Sequence, residues 1–353
     1  MVNVSVIIPV YNEIRFIQKT LESVIGDADE IILSDNASTD GTSDICQSFA
    51  DKYPEIKYIR QKENIGALKN LIFCIEKSNG KYTRNLGAHD NPSQGSTTKM
   101  LSLIEKNHDA SMVYPKYCIY LNPDDSFDSF AVNNFGEYLS SDSSFIRVKH
   151  LIKDISDFGM FYSLYKTEFL KIAIKTCGVF QNILSDYSII AYMAKAGKII
   201  PENKSVIYRY IPRPETGYEH LKHISKQLVG DESNIYLWNL ICTAELYNLA
   251  LSIQQQDNTN GSYTNEVLEV IFFNKYNPNE LLEALNGKLP VLLNDKEFIL
   301  NDLNKIVNNF IISNENKQVI KNKSYLFGTI KKIIKCFLPY GLVRLIQKSK
   351  SDN

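Results

Sequence analysis

Cysteine is scarce in this chain and never clustered. The six cysteines stand at positions 46, 74, 118, 177, 242 and 336, with no C-x-x-C pair. That scatter argues against a zinc motif or a disulfide framework and fits a reducing cytosol. No run of about 18 or more apolar residues occurs, so no transmembrane helix is expected. The apolar run Val4 to Val10 has neither a basic segment before it nor a small-residue cleavage site after it. It reads as a buried strand, not a signal peptide. An excess of one charge is also missing: 39 Lys and Arg balance 40 Asp and Glu, for a net charge of -1. A chain-wide field for nucleic acid is thereby excluded. Neither a G-x-G-x-x-G fingerprint nor a G-x-x-x-x-G-K-[ST] loop is present, and no internal repeat or low-complexity tract occurs.

What is present is ordinary globular material. Hydrophobic residues make up 44% and charged residues 22% of 353 residues, which excludes a mainly disordered chain. The length suggests roughly two domains and suffices for a real core. The balanced charge hides an asymmetry. From Glu315 onward stand nine basic residues (Lys317, Lys321, Lys323, Lys331, Lys332, Lys335, Arg344, Lys348, Lys350) and only two acids, Glu315 and Asp352. The tail is thus +7 and the body -8.

The first 120 residues alternate between strand and helix patterns. Strands are expected at 4–10, 30–34, 56–59 and 80–86. Helices are expected at 13–25, 42–52 and 67–78 from their apolar spacing. This alternation predicts β-α-β units and a mainly parallel sheet flanked by helices, an α/β fold. Ligands of such sheets bind beyond the carboxyl ends of the strands. The polar segments 11–13, 35–40 and 87–91 should therefore converge on one crevice. Residues 121–160, rich in Asp, Ser, Asn and Phe, read as a loop-rich acceptor region. Residues 180–197 return to a helical pattern, 208–223 are irregular, and 224–322 are mostly helical.

Four stretches resemble family 2 glycosyltransferases of the GT-A fold, in order and in spacing. They are Val4-Ser-Val-Ile-Ile-Pro-Val-Tyr-Asn-Glu13, Leu33-Ser-Asp-Asn-Ala-Ser-Thr-Asp-Gly-Thr42, Glu63-Asn-Ile-Gly-Ala-Leu-Lys-Asn70 and Gly80-Lys-Tyr with Leu86-Gly-Ala-His-Asp90. The resemblance is firm to about residue 115 and looser to about 210. It implies an inverting transferase that moves a sugar from a nucleotide-diphosphate donor, UDP favoured, to a hydroxyl of a glycan or lipid-linked glycan. The implied setting is bacterial O-antigen, capsule or lipooligosaccharide synthesis. The chain is expected to divide into a GT-A catalytic domain over 1–223, a mostly helical region over 224–323 and a basic amphipathic tail over 324–353.

The donor-site candidates are Pro9, Tyr11, Glu13, Asp35, Asn64, Lys69 and Ala88. The resemblance places Asp35 against a uracil-type base, though Asp35 and Asn36 also suit an Asx turn. Asp40 suits a helix cap. Tyr11 suits the base pocket. Glu13 suits the ribose, or a helix start favoured by the macrodipole. Lys69 suits the diphosphate as a point charge, or plain solvent.

The family's Asp-x-Asp metal motif is here Gly87-Ala88-His89-Asp90. His89 takes the ligating position with Asp90 beside it, and imidazole suits a Mn²⁺-class ion better than Mg²⁺. The alternative is a metal-free site with a protonated His89 on the diphosphate. An inverting transferase needs a base for the acceptor hydroxyl. The family takes it from a Glu-Asp pair opening a helix, and Asp186 after Ser185 matches that place, with Asp154 and Asp157 in reserve. Arg209, Arg213, His220 and His223 suit a loop closing on the donor. A different class of reading is a non-catalytic nucleotide- or membrane-binding scaffold.

In the tail, Leu326, Phe327, Ile330, Ile333, Ile334, Phe337 and Leu338 follow helical spacing, with Lys331, Lys332 and Lys335 off that stripe. Such a basic amphipathic helix over 324–346 suits peripheral contact with the inner face of the cytoplasmic membrane, or docking on its own domain.

Overall fold

The computed structural model describes residues 3–122, 124–132, 137–154, 158–177 and 185–210. The expected helical region, the basic tail, Asp157, Arg213, His220 and His223 lie outside the described residues. Packing divides the chain into Met1–Val148 with Asp157–Ile211, and Lys149–Ser156 with Pro212–Asn353. The first unit carries nearly all the described structure. Among the described residues no helix is long and apolar enough to cross a membrane.

The first half is the expected alternation: β1 (Val4–Val10), α1 (Ile17–Val24), β2 (Glu30–Asp35), α2 (Thr42–Lys52), β3 (Ile56–Arg60), α3 (Ala67–Lys77) and β4 (Tyr82–Asn85). β1 and β2 are apolar on both faces because helices cover both sides, and every residue of β2 is buried. Helix α1 shows why it packs: Ile17, Thr20, Leu21 and Val24 form its buried stripe. Ile17, Leu21 and Val24, together with Val6, Ile8, Ile31 and Leu33, make one core layer.

The second half is mixed. It contains β5 (Asp90–Pro92), α4 (Ser96–Lys106), β6 (Ala110–Leu121), β7 (Phe127–Val132), α5 (Ser144–Asp154), β8 (Leu164–Lys166), α6 (Thr167–Cys177), α7 (Ser185–Ala196) and β9 (Lys198–Tyr210). The sheet order is β3-β2-β1-β4-β8-β6-β9-β5, with β7 paired to β6. β1, β2, β3 and β4 are mutually parallel, as are β6 and β9. β8 inserts antiparallel between β4 and β6.

Two expectations change. Residues 121–160 are not mainly loop: they hold the β6–β7 hairpin and α5. Residues 208–210 are not irregular but close β9, pairing with β5 and β6. Arg147, nearly buried, ties α5 to α7. Its Nε donates to the Ala194 carbonyl (2.7 Å) and its Nη2 to the Lys195 carbonyl (3.2 Å). Those are orphan carbonyls at a helix C-terminus, where a cation is favoured.

Candidate donor site

Sheet order decides where a ligand fits. From β1 the chain moves to β2 on one side, while β4 lies on the other. The carboxyl ends of β1 and β4 therefore flank the topological switch point. The segments 11–16 and 86–89 leave the sheet there, and they meet. Glu13 Oε1 lies 2.8 Å from His89 Nδ1. Both side chains stay reachable from solvent, at 22% and 30% exposure.

The loop after β1 is held from the β2 side. The Asn12 N–H donates to Ser38 Oγ (2.9 Å), the Glu13 N–H to Thr42 Oγ1 (2.8 Å) and the Ile14 N–H to Asp40 Oδ2 (3.1 Å). Asp40 also accepts from the Thr42 N–H (3.0 Å) and hydroxyl (2.6 Å), opening α2. The capping role of Asp40 thus extends to the neighbouring loop. Asn36 donates to Asn64 Oδ1 (2.8 Å) and accepts from the Ile65 N–H (2.8 Å). Asn64 also accepts from the Gly66 N–H (2.9 Å). The expected convergence of the three polar segments is therefore present, with Asn64 joined to it.

Asp35 ends β2 and is fully buried. Its Oδ1 accepts the Ser38 N–H (2.9 Å). Its Oδ2 accepts from Ser43 (2.5 Å) and Tyr58 (3.0 Å), with Arg60 Nε at 3.4 Å. Burial alone would raise its pKa, but the Ser38, Ser43 and Tyr58 hydrogen bonds outweigh it and the value is lowered. The Asx-turn geometry is thus real, and the carboxylate organises the 36–43 loop. Local sequence does not reveal these partners, because Ser43 lies on α2 and Tyr58 and Arg60 lie on β3. Pro9 is half-buried within β1, Tyr11 stands 44% exposed beyond its end, and Lys69 is exposed on the first turn of α3. Ala88 is buried, and its carbonyl accepts from Thr20 Oγ1 (3.0 Å).

His89 sits among charges. Burial disfavours the imidazolium, but Asp90 and the Glu13 hydrogen bond outweigh that and raise its pKa above 6.5. Phe16 lies edge-on to the ring, with centroids 6.5 Å apart.

Asp90 departs from the expected metal pair. It is fully buried. It opens β5, opposite Arg209 of β9, and its Oδ1 lies 3.5 Å from Arg209 Nε. Neither carboxylate oxygen has a hydrogen bond among the described residues. A Cβ on Gly87 would stand 2.4 Å from Asp90 Oδ2. Arg209 is likewise no closing-loop cation here: it donates to Tyr162 Oη (2.8 Å), and its guanidinium lies 4.7 Å from that ring's centroid. Among the described residues no three His, Cys, Asp or Glu side chains group to hold a metal. Glu13 Oε1 is engaged by His89 and Asp90 faces the interior, so these residues do not fit a protein-built metal centre. His89 Nε2 is the donor atom left over.

Asp186 is the second residue of α7, in its N-terminal turn. Its side chain and that of Asp154 lie outside the described residues.

Residues 5–171 match the family model "Glycosyl transferase family 2". "Glycosyltransferase AglE" of Haloferax volcanii is 35% identical over 26% of this chain and 32% of its own length. "Abequosyltransferase RfbV" of Salmonella typhimurium is 29% identical over 30% of this chain and 34% of its own length. The chain spans less than half the length of curated relatives such as these, from 12% to 42%. Among solved structures, S. aureus TarS 1-349 is 15% identical, covering 88% of this chain and 92% of that one, with a TM-score of 0.46. Over residues 5–171, then, the chain is similar to glycosyl transferase family 2.

Proposed function

We propose that this protein transfers a sugar from a nucleotide-diphosphate donor, UDP-sugar favoured, to a hydroxyl of a glycan or lipid-linked glycan, with inversion. The observation that carries the reading is the meeting of Glu13 and His89 at the β1/β4 switch point, within the matched family segment. Nucleotides bind at such points because loops from both sides enclose them. The exposed ring of Tyr11 offers a face to the base. Asp35 and Asn64 shape the loops around the base and ribose. His89 faces the diphosphate, and Lys69 adds a point charge from α3.

The transfer is a single displacement. The acceptor oxygen forms a bond to the anomeric carbon as the bond to the diphosphate oxygen breaks, and the acceptor's proton passes to a base. Asp186 is that base, and the leaving diphosphate carries its charge to His89. The names of the relatives, a glycosyltransferase and an abequosyltransferase, support sugar transfer. The product belongs to a bacterial surface polysaccharide such as O-antigen, capsule or lipooligosaccharide. The basic segment 324–346, with its apolar periodicity, brings the enzyme to an anionic membrane where a lipid-linked acceptor resides.

Calorimetry with UDP, GDP and dTDP, with and without Mn²⁺, tests the donor reading on wild type and His89→Ala. UDP is expected to bind wild type and to weaken markedly in His89→Ala. Wild type that binds none of the three would sink it. Turnover that survives Asp186→Asn would remove Asp186 as the base.

A further inference from the structure

We propose that Glu13 is a positioning residue for His89, holding Nδ1 so that Nε2 is the atom presented to the donor's diphosphate. The inference rests on the donor-site reading above and gives Glu13 a task other than ribose contact.

The geometry is specific. Glu13 Oε1 and His89 Nδ1 are 2.8 Å apart, a normal hydrogen-bond length. A carboxylate only accepts, so Nδ1 carries the hydrogen and Nε2 points away from it. Such a partner fixes the ring plane, and in the protonated ring it leaves Nε2–H as the donor that a phosphate oxygen can accept.

The pair is anchored from both ends. The backbone at residues 12–14 donates to Ser38, Thr42 and Asp40, which fixes the start of the Glu13 side chain. On the other side, Thr20 holds the Ala88 carbonyl and the Asp90 N–H donates to the Gly87 carbonyl (3.1 Å). Asp90 is pinned beneath by Arg209. His89 is therefore caught between a buried anchor at its neighbour and a carboxylate on its ring. Two segments on opposite sides of the switch point supply these parts, and only the folded sheet brings them together. A free imidazole on a loop would sample several rotamers. This one meets the donor already oriented, so less ordering is left to the binding step.

The test is a double-mutant cycle read by calorimetry. UDP and UMP are titrated into wild type, Glu13→Ala, Glu13→Gln, His89→Ala and the Glu13→Ala/His89→Ala pair. Glu13→Ala is expected to weaken UDP about tenfold, within the range of coupled contacts. UMP, lacking the β-phosphate, is expected to change less than about twofold by the same argument. Glu13→Gln keeps an acceptor for Nδ1 and restores most of the UDP affinity. The double variant is expected to be no weaker than His89→Ala alone.

Equal losses for UDP and UMP, or losses that multiply in the double variant, would overturn the proposal and return Glu13 to the ribose. Nitrogen NMR of the His89 ring in the nucleotide-free protein supplies a second readout, at a pH where the ring is neutral. The Nδ1–H form should dominate in wild type and lose its preference in Glu13→Ala. An unchanged spectrum overturns the proposal. Wild type that binds neither nucleotide overturns the donor reading itself, and is told apart because the variants play no part in it.

Discussion

Restoring the family's aspartate at position 87 should damage this protein. The Asp90 carboxylate lies where a side chain at 87 would begin, with Oδ2 2.4 Å from an ideal Cβ. Non-bonded carbon and oxygen do not approach so closely, so Gly87→Ala must displace a fully buried carboxylate held beside Arg209. Overpacking of this kind costs about 1–3 kcal/mol. Gly87 has no left-handed backbone angle, so alanine there also narrows the unfolded ensemble, a gain of about 0.4–1 kcal/mol. The clash wins, with a net loss of roughly 1–2 kcal/mol. Gly87→Asp adds a second carboxylate a few ångströms from the first. At an effective dielectric near 20 that repulsion is about 4 kcal/mol at 4 Å, until one of the two takes a proton. Urea unfolding of the full chain measures both variants. With a slope of roughly 3 kcal/mol/M, Gly87→Ala should lower the midpoint by roughly 0.5 M, and Gly87→Asp by more. The control removes the obstacle as a pair. In an Asp90→Ala/Arg209→Met background neither charge is left buried alone, and Gly87→Ala should become neutral or stabilising. A Gly87→Ala protein at least as stable as wild type would refute the packing argument, as would the same loss in the control background.

Three further outcomes follow from other parts of the molecule. Ala37 holds φ 62, a left-handed conformation that costs a residue with a Cβ about 1–2 kcal/mol; Ala37→Gly should raise the unfolding free energy by up to about 1 kcal/mol after glycine's own entropy cost, read as a higher urea midpoint. Glu30 is buried at the opposite end of β2, accepting from Ser5 (2.5 Å), Lys57 (2.5 Å) and the Asn79 N–H (2.7 Å). Burial pushes its pKa up, but the hydrogen bonds from Lys57, Ser5 and Asn79 prevail and hold it below 4.5. Its stabilisation is therefore full above the ordinary carboxyl range and lost as pH falls through the lowered value; Glu30→Gln should flatten that acid limb in a pH series of urea midpoints, and an unchanged limb would contradict it. Asp186→Asn should cut turnover by about 10²–10⁴ while UDP affinity stays unchanged, and a parallel loss of affinity would point to a structural role.

The parts of the fold that were legible are those with local causes. β1 and β2 announce themselves because strands covered on both faces need an unbroken apolar run, and α1 because its buried stripe repeats every three or four residues. β6 and β9 were hidden because each is a long strand carrying prolines and polar residues. Their pairing breaks register between Pro115 and Tyr117, and no local pattern specifies a partner so far along the chain. The site divides in the same way. That the segments after β1, β2 and β4 converge follows from parallel topology alone, and Glu13 and His89 do meet. That Asp90 serves the interior needed the antiparallel register of β5 on β9, which sets it opposite Arg209. The same register explains why the motif reads as it does. With the Asp90 carboxylate lying over residue 87, glycine is the residue that fits there, and no ligand can project from that position. In the proposed donor site, His89 is then the residue of this motif left to meet the diphosphate. A histidine suits that isolation, because one ring nitrogen can be held by Glu13 while the other stays free. The glycine at 87 and the histidine at 89 are two consequences of one buried carboxylate.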